Sequence, residues 1–425
     1  MRFASSVLAA LVLALPAYAK AVVLTADRLF DGRSDTLQRP GRVVIDGGKI
    51  VGVGPNAPAP ADAETIALGD ATLIPGLMDA HTHLTHEMSE DWKQDELDRF
   101  KKPIPQVAIE ATVFARHTLE AGFTTVRDLG SEELIDIGLR EAINHGKIPG
   151  PRILASVKAI SARGGHCDPT GGYRPGLMKE PDTTQGVANG PDEIRAAVRF
   201  NCKHGADVIK VCASGGVLSL NDKVDSPQLT QAELDALVDE AHALGRKAAA
   251  HAHGNEAIKR AVRAGIDSIE HGTFADDEAL RMMKAKGTYL VYTPVPCLDE
   301  RLKHSGAPAN VVAKADDATR HADDMFRRAL KEGVRIAFGT DADVCPHGSQ
   351  WQSMANMAKN GMRTLAILRA ATSVDAQLLG VGDTLGALEP GKIADVVAIA
   401  GDPTADIRNV QSVKLVMKAG EIVKR

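Results

Sequence analysis

The sequence predicts an α/β protein, a (β/α)8 TIM barrel carrying a small β-sandwich assembled from both ends of the chain. Three observations predict it. Between residues 73 and 384, eight short apolar or β-branched runs alternate with helical patterns. The segments on either side have a turn-punctuated strand texture instead. Finally, the residues best suited to chemistry fall at or near the C-terminal ends of the apolar runs. Strand–helix alternation over this length favours a parallel sheet, with a doubly wound open sheet as the rival topology.

In chain order, residues 1–19 read as an export signal. Arg2 supplies the positive start, Val7 to Pro16 a short apolar core, and Ala17-Tyr18-Ala19 a cleavage site. The apolar run is too short to span a bilayer. An uncleaved anchor is the alternative, but no stop-transfer pattern follows, and no cysteine follows the cleavage site to mark a lipoprotein. The expectation is a secreted or periplasmic protein beginning near Lys20, with no membrane attachment after cleavage.

Residues 20–72 are expected to form the first part of the sandwich, where Val43-Val44-Ile45 enters an Asp46-Gly47-Gly48 hairpin turn and Ile50 to Val53 returns. Residues 385–425 are expected to complete it through Ala394–Ile399, Val413–Met417 and Glu421–Val423. The barrel strands are read at Leu73–His83, Thr124–Asp128, Arg152–Ser156, Val208–Ala213, Lys247–His253, Ser268–His271, Tyr289–Thr293 and Arg335–Asp341. Helices are read at Val107–Ala121, Glu133–His145, Pro191–His204, Gln231–Leu244, Glu256–Ala264, Asp276–Lys286, Ala318–Glu332 and Arg363–Leu379. Four connections are long, Val157–Gly190, Ser214–Leu229, Pro294–Asp317 and Ala342–Met362. All follow strand ends, so in a barrel they gather on the C-terminal face, where barrel enzymes build their pockets.

Composition narrows the function. The formal net charge is −5, or −6 once Arg2 is removed, with no basic stripe, which disfavours nucleic acid. Aromatic residues are 4% of the chain, too few for a stacking platform. Cys167, Cys202, Cys212, Cys297 and Cys345 are scattered, odd in number and without a C-x-x-C pair. One disulfide is allowed in an oxidising compartment, but the expectation is mostly free, buried thiols.

The strongest local signal is Pro75-Gly76-Leu77-Met78-Asp79-Ala80-His81-Thr82-His83. Residues i and i+2 of a strand share a side, so His81 and His83 project together into the barrel mouth. Paired neutral imidazoles suit zinc and similar metals. His251, His271 and Asp341 each end a further apolar run. Lys210, in Val208-Ile209-Lys210-Val211, sits where an unpaired ammonium is costly. It is either a satisfied core ion pair or a neutral amine that has taken up carbon dioxide. The resulting carbamate is an anionic ligand able to bridge two metals roughly 3.5–4 Å apart.

The order H-x-H, Lys, His, His, Asp on successive strand ends resembles the amidohydrolase superfamily in its two-metal, carboxylated-lysine form. So do Leu73-Ile74-Pro75-Gly76-Leu77-Met78-Asp79-Ala80-His81-Thr82-His83 at the start of the barrel and Leu385-Gly386-Ala387-Leu388-Glu389-Pro390-Gly391-Lys392-Ile393-Ala394-Asp395-Val396-Val397 at its end. The resemblance implies that His81, His83 and Asp341 hold the more buried metal and His251 and His271 the second. Carboxylated Lys210 then bridges the pair, and Asp341 moves the proton. In His251-Ala252-His253 both imidazoles face inward; the resemblance gives the metal to His251 and leaves His253 nearer the substrate, with the swap as the alternative.

Within the superfamily, Gly164-Gly165-His166, Lys210-Val211-Cys212-Ala213-Ser214-Gly215-Gly216-Val217 and His251-Ala252-His253-Gly254 resemble the imidazolonepropionase-related, prolidase-like peptidases. That branch implies cleavage of dipeptides and N-acyl amino acids beside a free carboxylate, and it includes exported enzymes that degrade ochratoxin A. His166, His253 and Arg163 are the candidate carboxylate anchors, with a solvated loop charge as the bland reading of Arg163. Gly215, Gly216 and Val217 are expected to line the pocket through their backbone. His117, His145, His204, His242, His304 and His321 are expected at the surface, and His347 near the mouth at most.

The expected function is hydrolysis of the amide bond to a C-terminal amino acid, with two divalent metals, zinc favoured by the nitrogen-rich ligands. Cyclic-amide hydrolysis or deamination on the same site is the first rival, and non-catalytic metal binding the second. The resemblance also implies a homo-oligomer, an octamer among the forms such enzymes take.

Overall fold

The computed structural model describes residues 20–425, so the export signal expected at residues 1–19 lies outside the described residues. Two sheets built from both chain ends form the small β-structure. One orders Lys49–Val53, Gly41–Asp46, Val22–Ala26 and Glu64–Ala67; the other orders Glu421–Lys424, Val413–Lys418, Val396–Ala400, Ala71–Pro75 and Arg28–Leu29. The second sheet explains why its central strands, Ala71–Pro75 and Val396–Ala400, read as apolar runs. Leu73, Val396, Leu415 and Met417 pack against Leu24, Val43 and Ile45 of the first sheet. Their neighbours Ile74, Val397, Ile399 and Val416 join the barrel core with Phe30, Leu77 and Phe123. Burial on both faces removes the polar alternation that a one-sided strand shows.

The eight barrel strands are Leu77–Thr82, Phe123–Asp128, Arg152–Ala155 continued by Ala159–Ile160, Val208–Cys212, Lys247–Ala252, Ser268–His271, Tyr289–Tyr292 and Ile336–Phe338. Consecutive strands pair in parallel, and Ala159–Ile160 carries the third strand onto the fourth. The chain after the eighth strand returns to the first: Asp341 N donates to His81 O at 2.9 Å, and His83 N to Ala342 O at 2.8 Å. The open doubly wound sheet is thereby excluded. In the fifth strand Ala248, Ala250 and Ala252 face the surrounding helices. Ala249 faces inward with Val208 and Leu129.

Several boundaries differ from the sequence reading for identifiable reasons. The run Leu73–His83 is two strands, not one, broken at Gly76. A Cβ there would lie 2.2 Å from Thr124 Oγ1, so only glycine lets the chain pass from the sandwich to the barrel. The connection Pro294–Asp317 is largely helical, with Leu298–Ser305 and a helix Ala309–Glu332 that starts nine residues before the expected Ala318. Trp92–Lys101 and Trp351–Lys359 are further helices inside loops. The helix expected over Arg363–Leu379 continues through a π turn at Ala370–Val374.

The expectation of mostly free thiols is wrong. Cys167–Cys212 and Cys297–Cys345 are disulfides, and only Cys202 is free. Each bridge joins two loops or strand ends of the C-terminal face, so the cysteines staple the mouth of the barrel and not its core. Among the described residues no helix is long and apolar enough to cross a membrane.

Unfolded without reductant, the chain should expose one alkylatable thiol, Cys202, and five after reduction. Mass spectrometry of the alkylated peptides reads this directly, and three or more thiols before reduction would contradict the assignment.

Candidate metal centre and active site

The C-terminal ends of the strands bring His81, His83, Lys210, His251, His253, His271 and Asp341 together. Ring centroids lie 5.4 Å apart for His81 and His83, 5.1 Å for His81 and His271, and 4.7 Å for His251 and His271. His251, His253 and His271 offer ligand atoms within 4.8 Å of one another, as do His81, His271 and Asp341. Lys210 Nζ lies 3.3 Å from His81 Nε2.

Two of these residues reach the site by leaving ordinary backbone geometry. Strand alternation places Ser268 and Glu270 inside the barrel and would turn His271 outward. A φ of 70° at His271 takes it out of the pleat and turns its ring toward the other imidazoles. Asp341 has φ 57°, which brings its carboxylate to 3.2 Å from His81 Nε2 and 3.4 Å from His83 Nε2. Left-handed conformations cost roughly 1–3 kcal/mol in residues other than glycine and concentrate at functional sites.

Each imidazole has one nitrogen tied to the protein. His81 Nδ1 donates to Glu270 Oε2 at 2.9 Å, and His83 Nδ1 to Gly130 O at 3.3 Å. His271 Nδ1 bonds Thr293 Oγ1 at 2.6 Å, and His253 Nδ1 bonds Thr273 Oγ1 at 2.7 Å. His251 is held the other way round, by Nε2 to Gly215 O at 3.1 Å. A carbonyl or carboxylate only accepts, so the neutral rings of His81 and His83 carry their lone pair on Nε2, and that of His251 carries it on Nδ1. Metal-binding histidines are oriented in this way.

Protonation agrees with that reading for His251, His253 and His271. Burial, reinforced by neighbouring imidazoles, holds His251 and His271 well below the usual histidine range, and holds His253 at about 3. Burial also pushes Lys210 down to about 8, so a neutral, nucleophilic amine is within reach near neutral pH. Asp341 stays ionised despite burial because His81 and His83 face it. Burial works against a charge on His83, but Asp341 and Asp343 raise its pKa to about 9, so a metal bound there would displace its proton. Buried imidazoles, a carboxylate and a lysine of lowered pKa form a donor set that fits a divalent metal site.

Beneath them lies a buried ionic layer that the sequence reading did not assign. Glu270 is 0% exposed; its Oε1 accepts from Arg127 Nη2 at 2.8 Å and from Ser268 Oγ at 2.5 Å. Burial works against its charge, but Arg127 and His81 hold it ionised at about 2. Arg127, also buried, donates through Nε to Ala80 O at 2.5 Å. Asp79 accepts from His81 N at 3.1 Å and Thr340 Oγ1 at 2.6 Å, tying the first strand to the eighth. The signal that would have found Glu270 and Arg127 is the one applied to Lys210, a charge inside an otherwise apolar strand.

The expected substrate-contacting residues separate. His166 stacks on His251 at 4.3 Å, 22° from parallel. Its Nδ1 lies 3.1 Å from Ser219 Oγ, and that hydroxyl donates to Asp222 Oδ1 at 2.5 Å. The hydroxyl has one proton to give, so His166 Nδ1 must be the donor and His166 Nε2 carries the lone pair. Gly216 makes room for the ring, since a Cβ there would lie 2.1 Å from His166 Cε1. Gly215 touches His251 through its carbonyl, and Val217 packs against an apolar cluster of loop residues that includes Met88, Leu298 and Val344. Arg163 is brought elsewhere: it is exposed and paired with Glu180 at 2.6 Å. His347 packs on Phe114 and donates to His86 O at 2.9 Å. His86, unassigned from the sequence, pairs with Asp343 at 3.2 Å beside the mouth.

Residues 72–423 match the family model described as the amidohydrolase family. The chain belongs to the amidohydrolase family. Among solved structures, this amidohydrolase is similar to a Xaa-Pro dipeptidase with methionine bound in its active site. The two are 41% identical with a TM-score of 0.88, covering 96% of this chain and 100% of that one. A prolidase complexed with N-methylphosphonate-L-proline is 31% identical with a TM-score of 0.85, over 96% and 100% of the two chains. Ochratoxinase of Aspergillus niger is 31% identical over 97% of this chain and 89% of its own length. The protein is a hydrolase acting on carbon–nitrogen bonds of amide or peptide type.

Arg127→Met should leave Glu270 buried without its partner and cost about 3–5 kcal/mol. Urea unfolding followed by circular dichroism measures this, and a loss below about 1 kcal/mol would show that the pair is not needed.

Proposed function

We propose that this amidohydrolase holds two divalent metals, zinc first among them, and releases a C-terminal amino acid from dipeptides or N-acyl amino acids. The observation that carries the proposal is the set of five strand-end imidazoles, each anchored through one nitrogen, gathered around Lys210 and Asp341. In this reading His81, His83 and Asp341 hold one metal and His251 and His271 the other. Lys210, carboxylated by carbon dioxide, would supply a further ligand between the two groups. Bound there, the cations would lower the pKa of a water and polarise the scissile carbonyl.

The chain's own groups do the rest. Asp341 takes the proton of the attacking water and passes it to the leaving nitrogen, a task suited to an ionised carboxylate facing two imidazoles. Glu270 holds His81 in the tautomer that keeps Nε2 free. His253, if it accepts from the Thr273 hydroxyl through Nδ1, presents Nε2–H to the substrate carboxylate. His166 presents a bare Nε2, which suits a substrate N–H better than a carboxylate. Arg163, exposed and engaged by Glu180, is set aside as an anchor.

The similarity to a prolidase that binds a proline phosphonate, and to ochratoxinase, supports a leaving group that is an amino acid with a free carboxylate. Ochratoxin A, which joins an aromatic acid to phenylalanine through an amide, is therefore proposed among the substrates. Export to the periplasm or medium, and assembly into a homo-oligomer, belong to the same proposal; two disulfides support an oxidising compartment. Cyclic-amide hydrolysis is the second reading, favoured by nothing at the mouth over the first.

Zinc-loaded protein incubated with N-acyl amino acids, dipeptides and ochratoxin A should cleave the free acids and leave their C-terminal amides intact, as read by mass spectrometry. Cleavage of cyclic amides only would transfer the proposal to the second reading. Lys210→Ala should lower kcat by about a hundredfold or more, with partial rescue by short carboxylic acids. Unchanged turnover in that variant removes the carbamate bridge. Asp341→Asn should lose hydrolysis while keeping much of its zinc, measured by plasma emission spectrometry; a near-normal rate there removes Asp341 as proton carrier.

A further inference from the structure

We infer that the Cys167–Cys212 disulfide is a positioning device of the active site, holding His166 against His251 with its Nε2 free, and that hydrolysis depends on it through His166. The activity side of this inference rests on the proposed function.

Cys212 is the last residue of the fourth strand, two residues beyond Lys210, and lies opposite His251 in register. Cys167 immediately follows His166. The bridge therefore crosses from the loop after the third strand to the strand that carries the lysine, at the level of His251. That loop has little regular structure of its own: between Ile160 and Gly190 the only helical turn is Thr183–Gln185.

Every other restraint on His166 is a neutral hydrogen bond or a packing contact. Its backbone N donates to Gln228 Oε1 at 2.8 Å, and its Nδ1 donates to Ser219 Oγ. Gly216 closes against the ring. These three partners all belong to the loop after the fourth strand. That loop is itself fixed, since Asp222 accepts from Gly216 N at 3.1 Å and Gln228 Nε2 at 3.0 Å, and Lys314 Nζ reaches Gly216 O at 2.8 Å. The fourth-strand loop is thus a rigid seat, and the disulfide is the covalent link that keeps His166 in it. Its loss leaves the anchoring Nδ1 atoms of His81, His83 and His271 with all their partners, because none of those bonds involves either cysteine.

A double-mutant cycle on the zinc-loaded full chain tests this, using the best substrate of the hydrolysis screen. The Cys167→Ala/Cys212→Ala pair should keep its zinc and lose about tenfold or more in kcat, as should His166→Ala. Adding His166→Ala to the cysteine pair should cost no more than about a further twofold, because the two act as one unit. Gly216→Ala keeps the disulfide but drives a methyl into the His166 ring, and it should reproduce the loss in a chain that retains its staple. Wild-type kcat in the cysteine pair, or losses that multiply in the combined variant, overturns the inference. A second readout needs no turnover: deuterium exchange at the His166 C2–H, followed by mass spectrometry, should differ several-fold between the wild type and the cysteine pair. Equal exchange rates overturn the inference. A changed rate in a protein that cleaves nothing supports the positioning role and counts against the proposed function alone.

Discussion

Beneath five imidazoles, a lysine and an aspartate packed into one buried mouth lies the Arg127–Glu270 pair, on which His81 depends directly. Charges inside a barrel are costly unless paired and fully hydrogen-bonded. Glu270 meets that condition with Arg127, Ser268 and His81, and its bond to His81 Nδ1 fixes which nitrogen of that ring faces the centre. The remaining rings follow the same rule with weaker partners: Gly130 O, Gly215 O, Thr273 and Thr293. With one nitrogen committed to the protein, each ring is held in a fixed orientation, the arrangement that metal-binding histidines take.

The backbone makes the second contribution. A barrel strand can point only alternate residues inward, which limits how many ligands a strand end can supply. The left-handed turns at His271 and Asp341 lift that limit, and Gly76 lets the chain leave the sandwich directly into the first barrel strand. The loops are then secured to each other at the mouth by two disulfides and by Lys314.

Much of this was legible in the sequence. The barrel strands were found because each is a short apolar run followed by a helix, His81 and His83 because they pair one residue apart, and His251, His271 and Asp341 because each ends such a run. Lys210 stood out as a charge among β-branched neighbours. Arg127 and Glu270 stand in equally apolar strands and carried the same signal, but their role depends on a contact across the barrel that no local pattern records. Thr273 and Thr293 are chemically ordinary, and only the fold shows them holding imidazoles. The helix Trp92–Lys101 buries no residue, so it has no apolar stripe to read. In Ala309–Glu332 the buried Val311, Ala315 and Ala318 have helical spacing, but they are diluted by Lys314, Asp316 and Asp317. The disulfides join cysteines 45 and 48 residues apart, and their pairing is set by loop geometry that spacing alone does not encode.

The central claim is that the anchored imidazoles form two adjoining metal sites and not one. Zinc bound per chain, measured by plasma emission spectrometry after saturation and gel filtration, tests it most directly. The account predicts two zinc ions per chain, with the Glu270→Gln variant, whose His81 loses its charged partner, falling below that number. A wild-type protein that saturates at one zinc per chain, however active, would contradict the two-metal arrangement.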